Sequence, residues 1–146
     1  MTVHFRNVDV DPSAPLDTWP FEAIVTMIER GTASDWVRLT RAIRSDPWGP
    51  IARQVEDYLG YERPYGVAPL LERAIQRARA QAERRERAAV AAEVAALVAR
   101  SGLTLTEIAS RIGTSGSRLS TYRSGTVMPS AGLLVRLRET VARLGD

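Results

Sequence analysis

Beyond its first seventeen residues the chain places apolar side chains three or four apart, with polar residues between them, which is the spacing of one helix face after another. Phe21, Ile24, Val25 and Ile28 make the first such run, opened by Asp17 or Thr18 as cap with Pro20 behind it, and ended by Gly31. Thr32 can cap a second run with Trp36, Val37, Leu39, Thr40 and Ile43 on its apolar face. Asp46-Pro47 reads as an N-cap followed by proline at the first helical position, leading through Ile51, Val55, Tyr58 and Leu59 to Gly60. Residues 61–66, YERPYG, form a turn-rich joint.

A long helix is predicted to begin near Val67-Ala68-Pro69. Positions 70–101 hold no Gly or Pro and are dominated by Ala, Arg, Glu and Leu, the strongest helix formers. At 1.5 Å rise per residue this is a rod of roughly 45 Å. Its middle, 77–87, carries no large apolar residue and reads as a solvated connector, continuous or broken near 83–87. Apolar periodicity returns at Val90, Val94, Leu97 and Val98. A last helix over 130–144 aligns Leu133, Leu134, Leu137, Val141 and Leu144, with Arg136, Arg138 and Arg143 outside that face. The opening residues differ: HFRNVDV alternates polar and apolar, as a short strand or an extended arm would, until Pro12 and Pro15 break it. The pattern therefore predicts an all-α chain with an arm (1–17), a small helical N-terminal domain (18–65), a helical connector (66–85) and a C-terminal helical domain (86–146). The arm is expected to be flexible unless a partner or second subunit orders it.

The most telling segment is 101–130, SGLTLTEIASRIGTSGSRLSTYRSGTVMPS. Leu103-Thr104 opens one helix, and a second follows from Ser115 and stops at Gly125, with Pro129 beyond. Two helices that cross steeply need a small residue at their contact, which Ala109 supplies. The tight turn needs a residue that tolerates positive φ, which Gly113 supplies. Leu105, Ile108, Ile112, Leu119 and Tyr122 give the apolar face that joins the pair. The rest of the second helix is left free to enter a major groove.

Composition sharpens this reading. At 45% hydrophobic and 25% charged residues the chain has the make-up of a globular protein. Without cysteine it can build neither disulfides nor thiolate metal sites. No apolar run approaches a membrane span and no signal-peptide order opens the chain, so a cytoplasmic, nucleoid-associated protein is expected. All 20 basic residues are Arg, planar forks suited to phosphate or guanine. Residues 1–65 hold seven Arg against ten Asp/Glu, a net of −3; residues 66–146 hold thirteen against seven, a net of +6. That split points one end of the molecule at nucleic acid.

The stretch from Val90 to Leu144 resembles the Cro and phage-repressor family of DNA-binding domains, the Xre-type helix-turn-helix. The resemblance rests on Gly102-Leu103-Thr104, Glu107-Ile108-Ala109, Gly113, Leu119-Ser120, Gly125, Pro129-Ser130 and the closing apolar helix. It implies a lambda-repressor-like domain of four or five short helices, with 115–124 in the major groove of double-stranded DNA. Gly116, Ser117, Arg118 and Thr121 would then face base edges or nearby phosphates, and Ser115 would sit at the helix start beside them. Thr104, Leu105 and Thr106 would lie over the backbone, and 126–128, beginning with Thr126, near the phosphates. The chain departs from the family pattern at three positions. Leu105 stands where a phosphate-clamping Gln is usual, so that contact is lost or passes to Thr104 or Thr106. Arg123 replaces a usual Glu and adds a phosphate contact. Gly116 replaces a long polar side chain. Base readout then leans on Arg118, Ser117 and Thr121, with backbone charge and DNA shape contributing a substantial share.

Plainer readings compete. An ordinary helical hairpin would share part of the 101–130 pattern, but not its full spacing within a basic half. Arg77, Arg79, Arg84, Arg85 and Arg87 read as a solvated face. Trp19, Trp36 and Trp48 sit in helical contexts that favour core positions or a dimer contact over base stacking. His4, the one histidine, lacks the partners for a zinc site, and Asp9, Asp11 and Asp17 lack calcium-loop spacing. No phosphate loop, GxSxG elbow or catalytic constellation is present, so no enzyme activity, cofactor or metal is expected.

The aromatic, acidic half invites three explanations. Homodimerisation could run through this half, through the long helix, or through both, matching a palindromic operator with twofold symmetry. It could bind a partner protein through 18–65, as in antitoxin-type autoregulators. Or the whole could be an architectural or recombination accessory protein that bends DNA. A transcriptional repressor acting as a homodimer is the leading expectation.

Overall fold

In the computed structural model residues 10–146 are described, and among them the chain is all-α: seven helices and one 3-10 turn, with no strand. It divides into two compact units, Met1–Ala82 and Glu83–Asp146.

The first unit begins with a 3-10 turn, Leu16–Thr18, followed by α1 (Phe21–Arg30), α2 (Ala33–Ser45), α3 (Pro50–Leu59) and the opening of α4 (Val67–Ser101). Ile24, Met27 and Ile28 of α1 meet Leu39 and Ile43 of α2, Val55 and Tyr58 of α3, and Leu71 and Ile75 of α4 in one buried cluster. Each such side chain contributes about 1.5–3 kcal/mol by leaving water. Thr32 caps α2 as its sequence predicts, its N–H donating to Asp35 Oδ2 at 2.8 Å.

Several expectations shift here. The arm's first nine residues, with His4 and Asp9, lie outside the described residues. Its remainder is packed: Leu16 is buried, Val10 and Ala14 pack on the core, and Arg38 donates to the carbonyls of Pro12 and Ala14. Neither Asp17 nor Thr18 caps α1. Both fall in the 3-10 turn, Thr18 Oγ1 donates to Pro15 O, and Pro20 holds the N-cap position. Asp46-Pro47 does not open α3 either. Asp46, Pro47, Trp48 and Gly49 make a turn closed by Gly49 N–H to Asp46 O at 3.1 Å, the residue order a type I turn favours, and Pro50 takes the first helical position. Trp48 is consequently 44% exposed rather than core, and Val37 is 53% exposed at the edge of its helix's apolar face.

The largest change concerns the connector. Val67, Ala68, Leu71, Ile75 and Ala78 are buried in the first core, so the opening of α4 is that unit's fourth helix. Arg79 is no solvated charge: it donates to Pro47 O and pairs with Glu56 of α3 at 2.6 Å. Only residues 83–89 are exposed on every side, and the helix runs through them without a break. With the boundary drawn there, residues 1–82 hold ten Arg against eleven Asp/Glu and residues 83–146 ten against six, a milder split than a division at 65 gives.

In the second unit the end of α4 packs with α5 (Leu105–Ile112), α6 (Gly116–Ser124) and α7 (Ala131–Leu144). Its core is aliphatic: Val94, Leu97, Val98, Ile108, Ile112, Leu119, Leu133, Leu137 and Val141. Leu144, expected on the inner face of the last helix, is exposed at its last position. No single helix among the described residues is long and apolar enough to cross a membrane. α4 and α5 pass by length and composition only as a pair bent by 106°, and Leu71, Ile75, Val94, Leu97, Ile108 and Ile112 among them are buried.

Candidate nucleic-acid interface

The geometry of the α5–α6 pair follows from punctuation in the sequence. Ser101, Gly102 at φ +68° and Leu103 turn the chain out of α4, with Ser101 Oγ accepting from Leu103 N–H. Thr104 caps α5 in a reciprocal box: its hydroxyl oxygen accepts from Glu107 N–H, and Glu107 Oε2 accepts from Thr104 N–H, both at 3.2 Å. Ala109 is buried near the far end of α5, and Gly113 ends the helix at φ +79°, a left-handed conformation that costs a residue with a Cβ about 1–2 kcal/mol. Thr114 N–H returns to Ala109 O. Ser115 caps α6 by accepting from Arg118 N–H at 3.2 Å, and Gly125 at φ +82° ends it.

Between these caps α6 buries one side chain fully, Leu119, with Tyr122 half-buried against the core. The rest is open. Ser117, Arg118, Arg123 and Ser124 are exposed, and α6 contains no carboxylate. Neither Arg118 nor Arg123 makes an ion pair among the described residues. Arg138 of α7 behaves differently: it grips Glu93 of α4 with two hydrogen bonds, at 2.5 and 3.0 Å. Those bonds hold the Glu93 carboxyl below its ordinary range and the guanidinium above its own.

The expected contact residues occupy varied positions. Ser115 and Ser117 share a hydrogen bond at 3.2 Å at the start of α6, beside Arg118. Thr121 is half-buried, and its hydroxyl donates to Arg118 O at 2.6 Å, leaving only its oxygen lone pairs for another group. Thr126 lies just past Gly125, exposed and bonded to Ser124 through their hydroxyls at 2.9 Å. Gly116 faces inward: a Cβ there would meet Thr106 Oγ1 at 3.3 Å, so the absent side chain lets the first turns of α5 and α6 approach each other. That contact gives glycine a packing reason at position 116. Leu105 likewise has an apolar use, packing half-buried on the second core. The Thr104–Glu107 box has a local T-x-x-E signature that the apolar spacing does not reveal. The approach of the Arg136 guanidinium to Gly113 had no local signal at all.

Compared with known proteins, the chain matches no family model, no curated protein and no solved structure. Its own residues therefore carry the functional argument. Among the described residues no group of acidic residues and histidines is placed to hold a metal ion.

Proposed function

We propose that this chain is a sequence-specific double-stranded DNA-binding transcriptional regulator, a repressor acting as a homodimer on a palindromic operator. The observation that carries the proposal is the exposed face of α6. A helix fixed by Leu119 and by caps at both ends offers Ser117, Arg118 and Arg123 to solvent, with no carboxylate of its own to neutralise them. Such a helix, following a short helix across a left-handed glycine, fits the dimensions and chemistry of a major groove. The resemblance of 90–144 to the lambda-repressor-like architecture supports the same reading. In it, Arg118 reads a base, Arg123 neutralises a phosphate, and Thr104, Thr106, Ser115 and Thr126 flank the backbone. Gly116 and Thr121 position the helix more than they read the sequence.

The test is selection of bound fragments from sheared genomic DNA at two salt concentrations. Enrichment of a palindrome that survives the higher salt supports an operator-specific dimer. Binding that disappears with salt and enriches nothing overturns the reading in favour of an architectural role. On a recovered operator, Arg118→Ala weakens binding by roughly 1–3 kcal/mol and relaxes preference at one base pair. Arg123→Ala weakens specific and nonspecific binding alike and shallows the salt dependence.

A further inference from the structure

The first unit carries more carboxylates than cations, yet one of its faces is purely basic. Along α4, Leu70, Arg73, Ala74, Arg77 and Ala78 recur at steps of three and one, which aligns them in a single stripe. Arg44 of α2 faces this stripe across a groove of about 670 Å³. No carboxylate lines the groove. Arg44, Arg73 and Arg77 are exposed and make no ion pair among the described residues. On another side of the same helix the situation is reversed: Arg79 is paired with Glu56, and Glu72 with Arg63. Leu70 remains 46% exposed at the end of the groove, and Ala74 and Ala78 give it a shallow apolar floor.

We propose that this groove docks an acidic amphipathic helix of a partner protein. Carboxylates spaced one turn apart on that helix would face Arg44, Arg73 and Arg77, and an aliphatic residue on the same side would cover Leu70. The alanine floor lets the incoming backbone come close, since the distance between packed helices is set by the side chains at their contact. Guanidinium forks match carboxylates two bonds at a time. Double-stranded DNA fits less well: a duplex is too broad to enter a space between neighbouring helices, and its phosphates would leave Leu70 against water. The proposal does not rest on the DNA reading, because every residue it uses lies in Met1–Ala82.

The experiment is an NMR titration of the isotope-labelled full chain with a synthetic helical peptide presenting Glu and Leu on one face. Saturable shifts are expected at the side-chain N–H signals of Arg44, Arg73 and Arg77 and at the Ala74 methyl. The double variant Arg73→Glu, Arg77→Glu should bind the peptide about ten-fold more weakly or worse. It should also prefer a matching peptide with Lys in place of Glu, a charge swap that separates recognition from damage to the fold. Three results overturn the proposal: equal binding of a scrambled peptide of the same composition, movement of these signals with duplex DNA but not with the peptide, and movement with protein concentration alone. The second would assign the face to nucleic acid, and the third to another copy of this chain.

Discussion

The two units are built by different means. In the first, side chains reach across long stretches of sequence to main-chain oxygens: Arg38 to Pro12 and Ala14, Arg79 to Pro47, and Trp36 Nε1 to Met27. Trp19 and Tyr58 are buried among its aliphatic core residues, and Phe21 and Trp36 pack against them. In the second, the core is almost wholly aliphatic, and most side-chain hydrogen bonds close within two or three residues, at Ser101, Thr104, Ser115 and Ser130. One unit is specified by contacts that exist only once the chain has folded, the other largely by caps and glycines that act where they stand. A locally specified unit tolerates an unusual outer surface, and α6 is such a surface.

The largest test asks whether the two cores are separate. Leu39 and Leu137 are both fully buried, one in each core. Truncation to Ala should cost roughly 2–5 kcal/mol at either site. All three Trp residues, Trp19, Trp36 and Trp48, belong to the first unit, so their fluorescence follows that unit alone, while far-ultraviolet circular dichroism follows both. Leu137→Ala should lower part of the dichroism transition in urea and leave the fluorescence midpoint unmoved, and Leu39→Ala should lower the fluorescence midpoint. If each variant moved both signals together, α4 would make the molecule one cooperative block and the contrast would dissolve.

Arg38→Ala probes the long-range style of the first unit directly. The guanidinium donates at 2.7 and 2.6 Å to the Pro12 and Ala14 carbonyls and lies 5.0 Å from the centre of the Trp19 ring. Losing charged hydrogen bonds and ring contact together should cost about 2 kcal/mol. Limited proteolysis should then cut ahead of Trp19 sooner, and tryptophan emission should move to the red. An unchanged digestion pattern would mean that Leu16 and Val10 hold this segment without Arg38.

What the sequence made legible follows the same division. The ends of α5, α6 and α7 fall within a residue or so of their predicted places, because Thr104, Ser115, Ser130, Gly113 and Gly125 each act through their own backbone neighbours. In the first unit the pattern located helices but misassigned their starts. Asp46-Pro47 and Gly49-Pro50 are two plausible openings in the same short stretch, and only packing chooses the second. Helical periodicity could not tell that 67–78 belong to the first core, since a stripe of Leu, Ile and Ala beside many Arg looks solvated until the folded unit buries it. The groove of Arg44, Arg73 and Arg77 was invisible for a similar reason: its two walls lie on different helices. On α6 the exposed arginines were readable, whereas the inward turn of Gly116 toward Thr106 depends on how α5 and α6 approach each other.

Gly113→Ala tests the local style. The position sits at φ +79°, and a Cβ there would also come within 3.2 Å of the Arg136 guanidinium. That guanidinium is the end of a flexible side chain and can move aside, so the cost should come from the backbone, about 1–2 kcal/mol, confined to the second unit. Gly113→Asn, which tolerates the left-handed region better, should recover part of the loss. Equal losses for Ala and Asn would shift the cause from backbone conformation to crowding by Arg136.

The smallest effect returns to the first unit and depends on pH. The buried Tyr58 ring donates its hydroxyl to Glu29 Oε1 at 2.5 Å, joining α3 to α1. Burial first, and the hydrogen bond to the Glu29 carboxylate second, raise its pKa well above the usual value near 10. A raised pKa means that the folded state favours the protonated phenol. The associated stability is fully present below pH 10 and is lost as pH climbs toward the folded-state value. Tyr58→Phe removes the donor while Glu29, which is exposed, remains hydrated, so the cost at neutral pH should be about 1 kcal/mol. Melts followed by tryptophan fluorescence should show the wild-type first unit weakening from pH 10 upward and the Phe variant responding less steeply over the same range. Identical slopes would place the alkaline sensitivity elsewhere in the unit and leave the Tyr58–Glu29 bond a contact of ordinary strength.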